Sequence, residues 1–237
     1  KKRQEMQIDS IQSIRQRNEE LIKISGTIAK YLPEIAPVHA NGGPNASTPE
    51  KQAAMTNILI AALKAGLTNV VTYTIDDLGT PITGLPGNET DRVGIHPLGH
   101  NEAFGGVPAW RTREQIRISH VNQIKTIVEQ LKQVPEGNGA MFDNTMIMYF
   151  PENGETHHGV GSESPFLIMA GKKCKLDISG RYIRLPYLGN EGHKTLGNWY
   201  TTLLNAHGNP IEHYGDLDAE MSRKKLPQTG SIKQLMG

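Results

Sequence analysis

The sequence predicts a layered α/β fold with a largely parallel sheet and a β-hairpin extension. Three observations lead there. Short apolar runs, Asn69 to Ile75, "NTMIMYF" (Asn144 to Phe150) and "PFLIMAG" (Pro165 to Gly171), read as buried strands. Longer stretches with apolar residues at three- and four-residue steps alternate with them and read as amphipathic helices. Loops rich in glycine, proline and histidine join the two kinds of element, and sheets of this kind carry their sites at the carboxyl ends of the strands.

In chain order, Ile8, Ile11, Ile14, Leu21, Ile24, Ile28 and Tyr31 mark one long amphipathic helix from Gln4 to Tyr31, which Pro33 and Pro37 end. "HANGGPNASTPE" is a loop, and residues 1–45 form an N-terminal helix and linker. Ser47-Thr48-Pro49-Glu50 offers an N-cap hydroxyl, a first-turn proline and an acid at the positive end of the helix dipole, so a helix runs from there to about Ala65, closed by Gly66. The strand at Asn69–Ile75 follows, then a loop over residues 76–110 that is too long for a mere connection. The next helix spans Thr112 to Gln133 with Ile116, Val121, Ile124, Ile127, Val128 and Leu131 along one face. After the strand at Asn144–Phe150 and the strand "PFLIMAG", the stretch around Gly180 reads as the hairpin, and a last helix covers Thr195 to Ala206, capped by Gly208. The α/β domain thus occupies residues 46–218, and residues 219–237 form a C-terminal tail.

Bulk composition narrows the function classes. With 25 Lys+Arg against 24 Asp+Glu over 237 residues, the net charge of +1 gives no electrostatic case for a nucleic-acid partner. No apolar run approaches 18 residues, so no membrane span is expected. The single cysteine, Cys174, forms no internal disulfide. The chain opens without methionine in the approach to a helix, which reads as a piece of something longer. Leu226-Pro227-Gln228-Thr229-Gly230 matches a sortase pattern but lacks the hydrophobic tail, and is taken as chance.

The loops carry the chemistry. His96 and His100 stand four residues apart in "GIHPLGHNE", and two imidazoles in a short loop can reach one zinc or iron ion. Pro97 and Gly99 argue against the two sharing a helical face, and the same pattern fits surface or capping histidines. His157 and His158 follow the strand "NTMIMYF" beside Glu152 and Glu155; neighbours on an extended chain point apart, and Gly159 permits the turn that would bring both to one side. His193 stands at the mouth of the last helix. Asp76 and Asp77 end the first strand and read either as oxygen ligands or as caps. His120 lies within a helix, packed or solvated, and His39, His207 and His213 read as loop residues. No GxSxG elbow, P-loop, GxGxxG or CxxC is present.

The order of "LTNVVTYTIDD", "GIHPLGH" with its following helix, "DNTMIMYFPENGETHHG", "SPFLIMAG" and "SGRYIRLPYLGNEGHKTLGNWYTTLLNAHGNPIEHYGDLD" resembles a bacterial family catalogued as domain of unknown function 1552, within the alkaline phosphatase and sulfatase superfamily. The resemblance covers residues 1 to about 218. It implies an alkaline phosphatase-like, three-layer α/β/α sandwich, of which this chain looks like the C-terminal half, with a metal site gathered from loops at the strand ends. In alkaline phosphatases one ion takes an Asp and a His four apart before a helix plus a His near the C-terminus, and the other takes an adjacent Asp-His pair. Carried over, the ligands are His96, His100 and His193 for one ion and His157 and His158 for the other. The first residue of each pair is His where the superfamily has Asp, so one divalent transition metal (zinc first, iron or copper next) is as consistent as two.

The superfamily's nucleophile lies early in its fold, in a region that matches nothing here. The resemblance therefore implies the metal-binding portion of a hydrolase of phosphate or sulfate esters. The attacking group would come from the missing N-terminal half or from metal-bound water, and the partner that the resemblance implies is that missing half or another subunit. It also implies a periplasmic or secreted parent. The alternative is a non-catalytic structural or assembly protein that reuses the fold, with or without a structural metal.

Overall fold

The computed structural model describes residues 46–77, 79–85, 87, 89, 92–151 and 164–236, with residues 12, 14–16, 18–20, 22, 23, 26, 30 and 31 of the N-terminal stretch. That last group is helical throughout, where the sequence predicts the long amphipathic helix. The predicted α/β/α sandwich with a largely parallel sheet does not form. Among the described residues there are two sheets, each of two short antiparallel strands, and the remaining regular structure is helical. The chain divides into two compact units, Lys1–Val134 and Pro135–Gly237. No helix of the described residues is long and apolar enough to cross a membrane.

In the first unit, helix α1 (Thr48–Lys64) begins where the sequence places it. Ser47 accepts from the Glu50 amide and Glu50 reaches back to the Ser47 amide, a capping box that satisfies two of the donors a helix start leaves open. Gly66, at φ +68, takes the left-handed turn just beyond the Ala65 C-cap. Residues 68–77 then run without regular structure, and Val70 is 81% exposed. The strand predicted at Asn69–Ile75 is absent because β-branched composition favours a strand only where a neighbouring ladder and a buried face exist, and neither is met here. Ile82 and Val93 close a single antiparallel bridge with paired bonds of 2.8 Å. Helix α2 (Ile95–Gly99) and helix α3 (Ala109–Lys132) follow. The buried stripe of α3 is Thr112, Ile116, His120, Ile124, Ile127 and Leu131, whereas Val121, predicted for that face, is exposed. Helices α1 and α2 both pack on α3. Ile82, Leu85, Val93, Leu98, Ala109 and Ile116 form the core of this unit.

The second unit opens with a tight hairpin of β1 (Pro135–Glu136) and β2 (Gly139–Ala140), then a 3-10 turn at Met141–Asn144. Strand β3 (Met146–Tyr149) pairs with β4 (Leu167–Ala170) from Met146↔Ala170 to Tyr149↔Leu167. Both fall inside the predicted apolar runs, but they are antiparallel rather than parallel: an apolar run signals burial and says nothing of direction. The hairpin extension around Gly180 is likewise not formed. Arg181 donates to the carbonyl oxygens of Asp177 and Gln234, and Leu176 bridges Met236, so this stretch pairs with the C-terminal segment instead of with itself. Helix α4 (Leu196–Ala206) ends at Gly208 as expected, and helix α5 (Ala219–Arg223) starts at an Asp218 cap. Trp199, Leu176, Ile232 and Leu235 centre the second core. The LPQTG stretch is folded in: Asn198 on α4 donates to the carbonyl oxygens of Gln228 and Gly230.

Candidate functional site

Helix α2 decides where the first pair of histidines goes. Gly94 caps it, and Pro97 sits in its first turn, where a missing N–H costs nothing. A single turn therefore does form across "IHPLG", and it places His96 and His100 at i and i+4 on one exposed face, ring centroids 5.1 Å apart. The expectation that Pro97 and Gly99 would separate them is corrected by this geometry. Leu98, 2% exposed, anchors the opposite face, and Arg113 on α3 clamps the end of the turn by donating to the Leu98 carbonyl and, at 2.9 Å, to Asn101 Oδ1.

Of the other sequence-derived ligands, His157 and His158 lie outside the described residues, as do Glu152 and Glu155. His193 belongs to the second unit. It is 8% exposed, and its Nδ1 stands 3.1 Å from the Pro186 carbonyl oxygen, which can only accept; Nδ1 is therefore the donor of this bond. A carbonyl holding one ring nitrogen is how metal-ligating imidazoles are commonly oriented.

A test of metal fit rests on the α2 pair. Zn–N bonds of about 2.0–2.1 Å put two imidazole donors on a common ion roughly 3 to 4 Å apart, within the reach of rings spaced as these are. The pair supplies at most two donors to a zinc, iron or copper ion. Among the described residues no group of three or more His, Cys, Asp or Glu side chains is gathered at one point.

The acids after the predicted strand have structural tasks. Asp77 Oδ1 accepts from the amides of Gly79 and Thr80, at 2.7 Å each, closing a turn. The Thr80 side chain and those amides hold its carboxyl below the usual carboxylate value. Asp76 Oδ2 faces the buried His120 Nε2 at 3.2 Å. Burial, with the Asp76 charge second, pushes the Tyr73 hydroxyl above its ordinary value. The sequence did not single out the pairing of Asp76 with His120. Its one signal was the spacing of His120, four residues from both Ile116 and Ile124, which puts the imidazole on the buried stripe.

These residues border an open cleft of about 680 Å³ in the first unit, between the start of α1 and the segment from Tyr73 to Thr83. Lys51, Gln52, Tyr73, Asp76, Asp77 and Arg92 supply its polar side chains, with threonines among them. The first unit therefore carries two chemical features, an imidazole pair on α2 and a polar cleft beside α1. No family model, curated protein or solved structure matches this chain.

Proposed function

We propose that this chain is a metal-binding portion of a hydrolase of phosphate or sulfate esters, with His96 and His100 holding a divalent transition metal, zinc in the first instance. The observation that supports it is the pair of imidazoles on one turn of α2, 5.1 Å between centroids, fixed by a buried leucine on one side and an arginine clamp at its end. When bound, the ion supplies Lewis-acid polarisation of an ester oxygen. The chain's own residues contribute placement: α2 is short, capped by glycine and packed on α3, so both rings are presented from one rigid turn. That the substrate is an ester, and that His157 serves its turnover, rests on the sequence resemblance.

The test is a zinc titration of the chelator-stripped full chain, paired with hydrolysis of p-nitrophenyl phosphate and p-nitrophenyl sulfate. Wild type binds zinc and turns over one of the two esters; His96→Ala and His100→Ala each weaken zinc at least tenfold, and His157→Ala lowers turnover. Zinc binding without turnover would leave the non-catalytic protein with a structural ion. Zinc affinity untouched in both α2 variants would end the metal reading.

A further inference from the structure

The cleft beside α1 is lined by two acids and two cations, and the two pairs are not equivalent. Asp76 faces His120, and Asp77 is saturated on one oxygen by two backbone amides. Each acid is thus answered from within the fold. Lys51 and Arg92 line the same cleft and are exposed, and their side chains make no hydrogen bond or ion pair with any described residue. Several other cations of this unit do have partners: Arg111 with Glu114, Lys125 with Glu129, Lys64 with Gln130, Arg113 with Asn101. The open side-chain donors of Lys51 and Arg92 therefore line the cleft together.

We infer that this cleft binds the oxyanion group of a small molecule, with Lys51 and Arg92 as its cationic wall. A planar guanidinium and a mobile ammonium in one concavity suit a phosphate, sulfate or carboxylate group, to which Arg offers a two-pronged fork and Lys a point charge. The acids that line the same cleft do not close it to an anion, because Asp77 is already engaged by the amides of Gly79 and Thr80 and Asp76 lies against His120. They set a limit on size and sign instead: a ligand with a second negative group would bring it against Asp76, so a singly charged head with a neutral body is favoured over a dianionic body. Neither imidazole of the α2 pair lines the cleft, and binding there needs neither the metal nor the hydrolysis.

The experiment is a ³¹P line-broadening titration of inorganic phosphate against the chelator-stripped full chain, with sulfate and acetate as competitors. Phosphate broadens on binding wild type. Lys51→Ala and Arg92→Ala each weaken it at least threefold and the double variant at least tenfold, whereas Lys125→Ala, which removes a partnered cation on α3, leaves it unchanged, as does the double variant His96→Ala/His100→Ala. Sulfate competition that exceeds acetate assigns a tetrahedral oxyanion; the reverse assigns a carboxylate. The inference is overturned if wild type binds none of the three anions, or if the Lys51/Arg92 double variant binds phosphate as wild type does. It is equally overturned if the α2 variants alone abolish binding, because the anion then sits at the imidazoles. Circular dichroism of each variant excludes loss of fold, which two exposed side chains do not support.

Discussion

Asp77 carries in one side chain much of what the first loop needs. Its carboxylate replaces a missing ladder by accepting from Gly79 and Thr80, and the sequence Asp-Leu-Gly-Thr is a turn signature with that mechanism. Because hydrogen bonds to the charged form hold its folded pKa below the usual 3.8, the stability it lends is fully present above that value and is lost as pH falls through the lower, folded one. Asp77→Asn keeps the turn but not the charge. The melting temperatures of wild type and variant should therefore differ by a constant amount at neutral pH and converge as the solution is acidified below about pH 4. A gap that persists unchanged into acid would mean that the charge is irrelevant to the loop. At this same scale the four-residue spacing of His96 and His100 suggested a pair, while Pro97 and Gly99 argued against a shared face. The sequence was silent on Asp76 with His120, because a contact between a loop acid and a helix imidazole more than forty positions away leaves no local trace.

Elements divide into those whose signals are local and those whose signals are not. Helices α1 and α4 ended where the sequence placed them, since a serine–glutamate cap and glycines past the last turn act within a few residues. Strands β3 and β4 were found inside their apolar runs, but their antiparallel pairing depends on which partner arrives, and Asn69–Ile75 found none. One residue fixes how β4 ends. A Cβ built on Gly171 would stand 1.9 Å from the Phe142 carbonyl oxygen and 2.5 Å from the Asp143 backbone, so the strand can only meet the 3-10 turn through a glycine. Backbone, not a flexible side chain, is in the way. Gly171→Ala should lower the urea midpoint by an amount corresponding to about 1–3 kcal/mol, the usual range for overpacking. A midpoint within error of wild type would show that the turn yields freely.

For the whole molecule, two units each with a separate apolar cluster replace the single layered sheet that the sequence predicts. The reason is visible in the burial of the strands: β3 is half-buried along its whole length, not fully buried as a strand of a covered parallel sheet is. The sequence expectation of one site for His96, His100, His157, His158 and His193 drew on that sheet for its geometry; among the described residues, His96 and His100 stand together on α2. The tail predicted for residues 219–237 instead supplies Met221, Ile232 and Leu235 to the interior.

The stretch that follows α1 leaves a signature of its own. Among the described residues, no backbone amide from Asn69 to Ile75 donates to another backbone carbonyl, whereas α3 is hydrogen-bonded along its length and buries one side. In deuterated buffer the peptide covering 69–75 should take up its full label within the first time points, while peptides from the middle of α3 remain largely protonated for orders of magnitude longer. Slow uptake at 69–75 would mean that something in solution already shields those amides.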